Sequence, residues 1–220
     1  MNRGAFIYAK NFLDEAEIAT AVDLAASVES QRTSVHEIGK YSDLRWFQVP
    51  IDPDWPIAAK MLAELHVRDP NLLVFYYLEP GAVLHPHRDL TGASMNDRIR
   101  FHVPIKTNEG VEFVVGGERI RMAPGDLWCL DTSYLHSVRN DGAETRVHMI
   151  VECNISPEVR TRLPSDFRAK LHNLHYTTIL GSKFLQSVLV NAFRDPAYFR
   201  SQMGMVRRFI SWRFFGKRNG

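Results

Sequence analysis

The chain has 220 residues, of which 45% are hydrophobic and 24% charged, and its formal net charge is +2. This composition can bury a core and excludes wholesale disorder, and the small net charge gives no reason to expect a nucleic-acid partner. The sequence lacks both a membrane span of roughly 18 apolar residues and the apolar core of a signal peptide, so we expect a cytoplasmic protein. Cys129 and Cys153 lie in strand-like apolar runs and are interpreted as buried thiols.

Two helices are predicted in the first stretch of the chain, residues 1–69. From Asp14 onward, apolar residues recur at helical spacing between Ile18 and Ala26, after an acidic first turn. A second helix is expected over residues 56–67, because Pro56 suits the first turn of a helix.

The middle stretch, residues 70–155, has the pattern of a β-rich domain. Short runs rich in Val, Ile, Phe and Tyr alternate with turns that contain Gly, Pro or Asn. Seven runs have this character: NLLVFYYL, AVLHPH, RIRFHVPI, VEFVV, ERIRM, DLWCLD and TRVHMIVEC. Strands of this length at close spacing predict a jelly-roll sandwich or barrel. The expected fold class is therefore α+β, a double-stranded β-helix (jelly-roll, cupin-like) core with flanking N- and C-terminal helices.

The last stretch, residues 156–220, is predicted to be helical. From Arg200 onward it carries six Lys or Arg residues and no acid, interleaved with aromatic and aliphatic side chains. Such a helix commonly docks on the core with its basic face in water, and the alternative is contact with an anionic surface. The expected organisation is a jelly-roll domain with N-terminal helices over residues 1–155 and a helical extension packed on that core over residues 156–220.

The segment GAVLHPHRDL, residues 81–90, is the most unusual in the chain. On an extended strand His85, His87 and Asp89 share one face, although a bulge could separate them. A third metal ligand must come from elsewhere, and His136, which follows the strand-like run DLWCLD, is the natural candidate. Two histidines and one carboxylate leave coordination sites free, as non-haem iron(II) oxygenases require for an oxo acid and dioxygen. Zinc usually takes a closed shell, often with thiolates, and neither cysteine is spaced for that role.

A second group of polar residues is basic and lies in strand-like runs. Arg146, ten positions after His136, interrupts a run that otherwise reads as buried, where a charge is costly unless paired. It forms either an internal ion pair or a bidentate clamp for a carboxylate ligand. Arg100 and His102 alternate with apolar residues along one strand-like run. The polar face of this strand therefore either lines an interior cavity or faces the solvent. Acids are sparse in these strands, which favours an external anion over internal pairing.

Four segments together resemble the aspartyl/asparaginyl β-hydroxylase-like oxygenases: EPGAVLHPHRD, DRIRFHVPI, PGDLWCLDTSYLHS and TRVHMIVE. This family depends on iron(II) and 2-oxoglutarate, and it includes bacterial hydroxylases of free proline. The resemblance covers about residues 73–154 and implies that His87, rather than His85, and His136 are metal ligands. Asp89 stands where the animal aspartyl hydroxylases have a small residue and the proline hydroxylases a carboxylate. The resemblance implies contacts with 2-oxoglutarate at Arg146, Arg100, His102 and Tyr76.

The function implied is hydroxylation of an unactivated C–H bond with iron(II), 2-oxoglutarate and dioxygen, releasing succinate and carbon dioxide. The favoured substrate is an amino acid or aminoacyl group, and a lipid acyl chain or another small metabolite is the alternative. A cupin of another chemistry would use His85, His87 and His136 as a three-histidine site. A sugar-binding or other module without enzymatic activity is the alternative from a different class.

Overall fold

A computed structural model describes residues 4–35, 45–89 and 98–164, together with six helical positions, 186, 189, 190, 196, 200 and 203. The strands are Ala5–Ala9 (β1), Thr33–Ser34 (β2), Trp46–Pro50 (β3), Leu72–Leu78 (β4), Val83–His87 (β5), Arg98–Lys106 (β6), Val111–Val115 (β7), Glu118–Ile120 (β8), Leu127–Leu130 (β9), His136–Asn140 (β10) and Arg146–Asn154 (β11). The α-helices are Glu15–Val28 (α1), Pro56–Glu64 (α2) and Pro157–Arg162 (α3), and a 3-10 turn spans Glu29–Gln31. Within these ranges, no helix is both long and apolar enough to cross a bilayer.

Local sequence accounts for where the first two helices begin. Asp14 and Glu17 form a capping box, in which each side chain accepts a hydrogen bond from the other residue's backbone N–H. Pro56 occupies the first turn of α2, where its missing N–H costs nothing. Both predicted helices are confirmed, and α2 ends three residues earlier than expected.

The strands form two antiparallel sheets. The larger has the order β1-β9-β6-β11-β4-β3-β2, and the smaller has the order β5-β10-β7-β8. One apolar cluster joins α1 and α2 to the outer face of the large sheet, and a second fills the space between the two sheets. This arrangement confirms the predicted α+β class with a jelly-roll core.

Strand β11 shows how the alternation of side chains positions a site. Val147, Met149, Val151 and Cys153 belong to the cluster on the helix side. Because successive residues point to opposite faces, the alternate positions Arg146, His148, Ile150 and Glu152 face the small sheet. All four are buried, so three polar side chains line the interior of the sandwich.

All seven predicted strand runs form strands, but four further strands were not predicted. These are β1, β2 and β3 at the edges of the large sheet and β10 in the small sheet. The chain has two compact units, residues 1–169 and 170–220, and every element above lies in the first unit. The boundary at residue 155 and the docking of residues 156–220 on the core stay predictions. The basic aromatic segment lies almost entirely outside the described residues.

Candidate metal centre

Two strands of the small sheet bring His87 and His136 together. His87 ends β5, His136 begins β10, and the two residues are opposite each other in the antiparallel register. Their ring centroids lie 4.2 Å apart. Residues that are 49 positions apart in the sequence, 136 minus 87, therefore meet at one end of the sandwich.

A bulge in β5 decides which histidine enters the site. His136 pairs with His87, whereas Val138 pairs with Leu84, so two residues of β10 span three residues of β5. Leu84 is buried and His87 partly buried, while His85 between them is exposed. The shared face of His85, His87 and Asp89 expected from simple alternation is thus wrong, because the bulge turns His85 to the solvent.

Asp89 completes the cluster from the segment that follows β5. Its backbone N–H donates to the carbonyl of Thr132 at 2.9 Å, which fixes this segment beside the chain that leads into β10. Its Oδ1 lies 3.5 Å from His87 Nε2. One ligand atom from each of His87, Asp89 and His136 falls within 4.8 Å of the other two.

Backbone contacts set the orientation of both imidazoles. His87 Nδ1 lies 2.8 Å from the carbonyl of His85, and His136 Nδ1 lies 2.9 Å from the carbonyl of Tyr134. If each Nδ1 donates a proton to its carbonyl, each Nε2 carries a lone pair, which is the tautomer of a metal ligand. Burial lowers the pKa of His136 to about 4, partly offset by Asp89, so this imidazole is neutral at pH 7.

Asp89 belongs to a chain of partly buried charges. Arg100 Nη1 lies 3.0 Å from Asp89 Oδ2, and Arg100 Nη2 donates to Glu152 Oε2 at 2.7 Å. Burial alone would raise the pKa of Asp89, but the contact with His87 and the charge of Arg100 hold it below its usual range. Arg100 therefore has two internal acidic partners, so the expectation against internal pairing is wrong for this residue, whereas its contact with 2-oxoglutarate stays a prediction.

Arg146 contrasts with Arg100. It is only 3% exposed, and within the described ranges no acid lies at ion-pair distance from its guanidinium. Its Nε and Nη2 lie 3.1 and 2.8 Å from ring nitrogens of His148, and its Cζ lies 5.8 Å from the centroid of Phe113. Burial lowers its pKa to about 9, so it stays charged at pH 7. The internal ion pair considered from the sequence is not found in the described part of the chain.

A cavity of about 420 Å³ adjoins Arg146 and His148. Phe113, Ile120 and Met122 supply apolar walls. Val115 is opposite His136 in the register of β7 and β10. Phe113 lies two residues before Val115, a distance of about 7 Å along β7. Arg146 and the His-Asp-His cluster therefore lie in the same interior between the sheets.

The remaining predicted contacts lie on neighbouring strands of the large sheet. His102 Nδ1 lies 3.4 Å from His148 Nδ1, and Tyr76 is opposite His148 in the register of β4 and β11. Burial, followed by the charge of Arg146, holds the pKa of His102 well below its usual value. The structure brings Tyr76, His102 and Arg146 to one face of the large sheet.

Sequence reasoning missed three buried polar residues on this face. His148 and Glu152 share the alternation of Arg146 along β11, so the signal that singled out Arg100 and His102 was present there too. Trp128 is opposite His102, and its indole N–H is buried without a hydrogen-bond partner in the described part of the chain. No sequence signal distinguished this tryptophan from an ordinary core residue.

The cluster has the donor set that a divalent cation needs. Two imidazole Nε2 atoms and one carboxylate suit non-haem iron(II) and leave coordination sites for other ligands. Asp89 Oδ2 is buried and accepts no hydrogen bond of good geometry, although Arg100 lies close to it. Such a buried, under-satisfied acceptor beside two imidazoles fits a metal ligand.

Comparison with known families gives a match over the middle of the chain. Residues 52–155 match the aspartyl/asparaginyl β-hydroxylase family. The resemblance predicted from the four sequence segments is thereby confirmed. Aspartate beta-hydroxylase domain-containing protein 2 of mouse is 41% identical over 66 residues, which are 30% of this chain and 18% of that protein. The chain therefore spans less than a fifth of this curated relative.

Two solved structures share the fold. A prolyl-4-hydroxylase of Pseudomonas putida superposes with a TM-score of 0.53 at 14% identity, over 70% of this chain and 94% of that one. The second is a prolyl hydroxylase of Trichoplax adhaerens, solved in complex with a peptide fragment of the hypoxia inducible factor oxygen degradation domain. It superposes with a TM-score of 0.56 at 11% identity, over 74% of this chain and 88% of that one. These two structures show the shared jelly-roll fold, and the family match supports the predicted enzyme class, a hydroxylase-type dioxygenase.

Proposed function

We propose that this protein is an iron(II)- and 2-oxoglutarate-dependent hydroxylase. The observation that carries the proposal is a buried guanidinium without an acidic partner among the described residues, in the same interior as a His-Asp-His cluster. A cation at the cluster and a carboxylate at Arg146 would each satisfy groups that are costly to bury alone. A dicarboxylic oxo acid carries one group suited to each position, a chelating oxo-carboxylate for the cation and a second carboxylate for the guanidinium.

His87, Asp89 and His136 would hold the iron. Bound iron(II) would bind the oxo acid and dioxygen and supply the oxidising chemistry. Arg146 would donate two hydrogen bonds to the distal carboxylate of 2-oxoglutarate, for which a guanidinium fork is suited. Tyr76, His102 and the indole N–H of Trp128 line the same face and would orient the co-substrate. We assign Arg100 to Asp89 rather than to the oxo acid, because both of its acidic contacts are internal.

The reaction proposed adds one oxygen atom to a substrate C–H bond. The second atom of dioxygen enters the succinate formed from 2-oxoglutarate, and carbon dioxide leaves. We propose an amino acid or aminoacyl group as the substrate, because the family and the two structural neighbours include hydroxylases of such groups. A lipid acyl chain or another small metabolite is the alternative. The three-histidine cupin site is not favoured, since His85 is exposed.

The test is succinate release by the purified protein with iron(II), 2-oxoglutarate and dioxygen. Free amino acids, short peptides and acyl compounds are screened for stimulation of succinate formation, and mass spectrometry detects the added oxygen. His136→Ala is the matched negative variant. Under anaerobic conditions, iron(II) with 2-oxoglutarate should give a weak visible absorption band that His136→Ala lacks. A wild-type protein that binds neither iron nor oxo acid would overturn the proposal.

A further inference from the structure

Three charged residues from separate parts of the chain form one continuous contact beside the metal cluster. Arg100 Nη1 lies 3.0 Å from Asp89 Oδ2, and its Nε and Nη2 donate to Glu152 Oε2 at 3.2 and 2.7 Å. Arg100 and Glu152 are opposite each other in the register of β6 and β11. The guanidinium therefore uses one edge for Asp89 and the other for Glu152.

Among the described residues, the short polar contacts of the buried Glu152 side chain are with Arg100. It is 7% exposed and lies on the interior face of β11, where an unpaired carboxylate would be costly. Its second oxygen lies 3.7 Å from Arg98, a longer contact made by a more exposed side chain. The short contacts are thus all directed at Arg100.

Among the described residues, the Asp89 carboxylate lies within ion-pair distance of His87 and Arg100. Asp89 lies past the end of β5, and within the described ranges its backbone N–H donates to the carbonyl of Thr132. Its Oδ1 lies 3.5 Å from His87, which is too long for a strong hydrogen bond. In the described part of the chain, the shortest polar contact of the Asp89 carboxylate is its ion pair with Arg100, which acts through charge and proximity because it lacks the geometry of a hydrogen bond.

We propose that Glu152 and Arg100 are positioning residues, which hold the carboxylate of Asp89 in the orientation required for metal binding. The inference rests on the proposed function in that Asp89 is taken as a metal ligand. It adds that the affinity for the metal depends on Glu152, a residue that does not reach the cluster. Outer partners of metal ligands commonly contribute about 10- to 100-fold to metal affinity.

The experiment compares Mn²⁺ binding by the wild type and by Glu152→Gln, measured by titration calorimetry without 2-oxoglutarate. Glu152→Gln keeps the size of the side chain but removes its charge, so Arg100 loses its second ionic partner. We expect Mn²⁺ binding to weaken by about 10- to 100-fold. With Mn²⁺ at saturation, the affinity for 2-oxoglutarate should return to within about twofold of the wild-type value, because Arg146 is intact. The visible spectrum of bound Co²⁺, which reports the coordination shell, should also change.

Glu112→Gln is the matched control. Glu112 lies on the outer face of β7 and pairs with Arg119 and Arg139, away from the cluster. The Glu112→Gln substitution also removes a negative charge from a glutamate–arginine ion pair. We expect the Mn²⁺ affinity and the Co²⁺ spectrum of this variant to equal those of the wild type. Glu152→Asp keeps the charge and should recover part of the lost affinity.

The outcomes separate this inference from the proposed function. If the wild type binds one Mn²⁺ and His136→Ala binds none, the metal centre stands, and wild-type affinity in a folded Glu152→Gln overturns only the positioning role. If the wild type binds no Mn²⁺, the proposed metal centre and the positioning role of Glu152 are both overturned. If Glu152→Gln does not fold, Arg100→Lys replaces it, because lysine keeps the charge but cannot contact both acids at once. Wild-type Mn²⁺ affinity in that variant would equally overturn the inference.

Discussion

Arg100 and Arg146 are two arginines on the interior face of the same sheet, and their partners give them different roles. Arg100 is held between Asp89 and Glu152, so its charge is already compensated. Arg146 contacts His148 and Phe113, neither of which offers a negative charge. The uncompensated charge of Arg146 is therefore the one available to a carboxylate ligand.

Arg146→Gln should weaken 2-oxoglutarate binding by about 10- to 100-fold, because a hydrogen bond to a charged group contributes about 1.5–3 kcal/mol. Mn²⁺ affinity should stay within about twofold of the wild-type value. Titration of the Mn²⁺-loaded protein with 2-oxoglutarate measures both effects. Arg139→Gln, a change at a half-exposed arginine that pairs with Glu112 and Asp141, is the control and should have no effect. Unchanged 2-oxoglutarate affinity in Arg146→Gln would remove this residue from the site.

The metal-free protein should lose stability on acidification. His136 has a pKa of about 4 when folded and an ordinary value near 6.5 when unfolded. Below pH 6.5 the unfolded chain binds the proton and the folded chain does not, so stability present above pH 6.5 is lost as the pH falls towards 4. His136 alone accounts for about 2 kcal/mol between pH 7.5 and pH 5. His102 and His148, whose pKa values burial also lowers, act in the same direction.

Urea denaturation in the presence of a chelator, at pH 7.5, 6 and 5, measures this loss. His136→Asn should make the pH dependence shallower by removing one of the groups. An unfolding free energy that stays constant from pH 7.5 to pH 5 would show that these histidines are not buried in the neutral form.

At the scale of elements, the small sheet positions the site through a bulge and two loops. The bulge in β5 places His87 rather than His85 beside His136. The loop between β6 and β7 packs against the loop between β10 and β11, where Gly110 and Gly142 approach each other closely. The first of these loops contributes Asn108 and Glu109 to the cavity beside Arg146.

Gly110→Ala should destabilise the protein by about 1–3 kcal/mol, because the added methyl group meets the backbone of Asp141 and Gly142 rather than a flexible side chain. Urea denaturation at pH 7.5 checks the loss. Ser27→Ala, on the exposed face of α1, is the control and should change stability by less than about 0.5 kcal/mol. Equal stability of Gly110→Ala and the wild type would mean that the two loops separate at no cost.

The limits of sequence reading are clearest among the strands. The run that contains Phe75 and Tyr77 can be recognised as a strand from its composition, because central strands are apolar on both faces. Strand β10, with the sequence HSVRN, carries too few apolar residues to be recognised alone, and pairing on both edges with β5 and β7 stabilises it. The short β2 likewise exists only because β3 provides a partner.

For the whole molecule, metal binding should raise thermal stability, since the ligands come from two strands and a connecting segment that the unfolded chain does not hold together. Mn²⁺ at a hundred times its dissociation constant should add about 2.7 kcal/mol. For a domain of this size that corresponds to a rise in Tm of roughly 5–10 °C. Differential scanning calorimetry with and without Mn²⁺ measures the shift, and His136→Ala should abolish it. The same shift in that variant would place the metal elsewhere.

Residue type and periodicity, which are local properties, predicted the jelly-roll core and the two N-terminal helices, and they marked Asp89, His136 and Arg146 as candidate site residues. The choice of His87 over His85 came from the family resemblance. The tertiary structure decided which polar groups are partnered. Glu152 compensates Arg100 across 52 positions, no acid in the described part of the chain compensates Arg146, and the bulge excludes His85. These outcomes depend on strand register and on packing between sheets, which bring distant residues together and leave no trace in the spacing of one sequence.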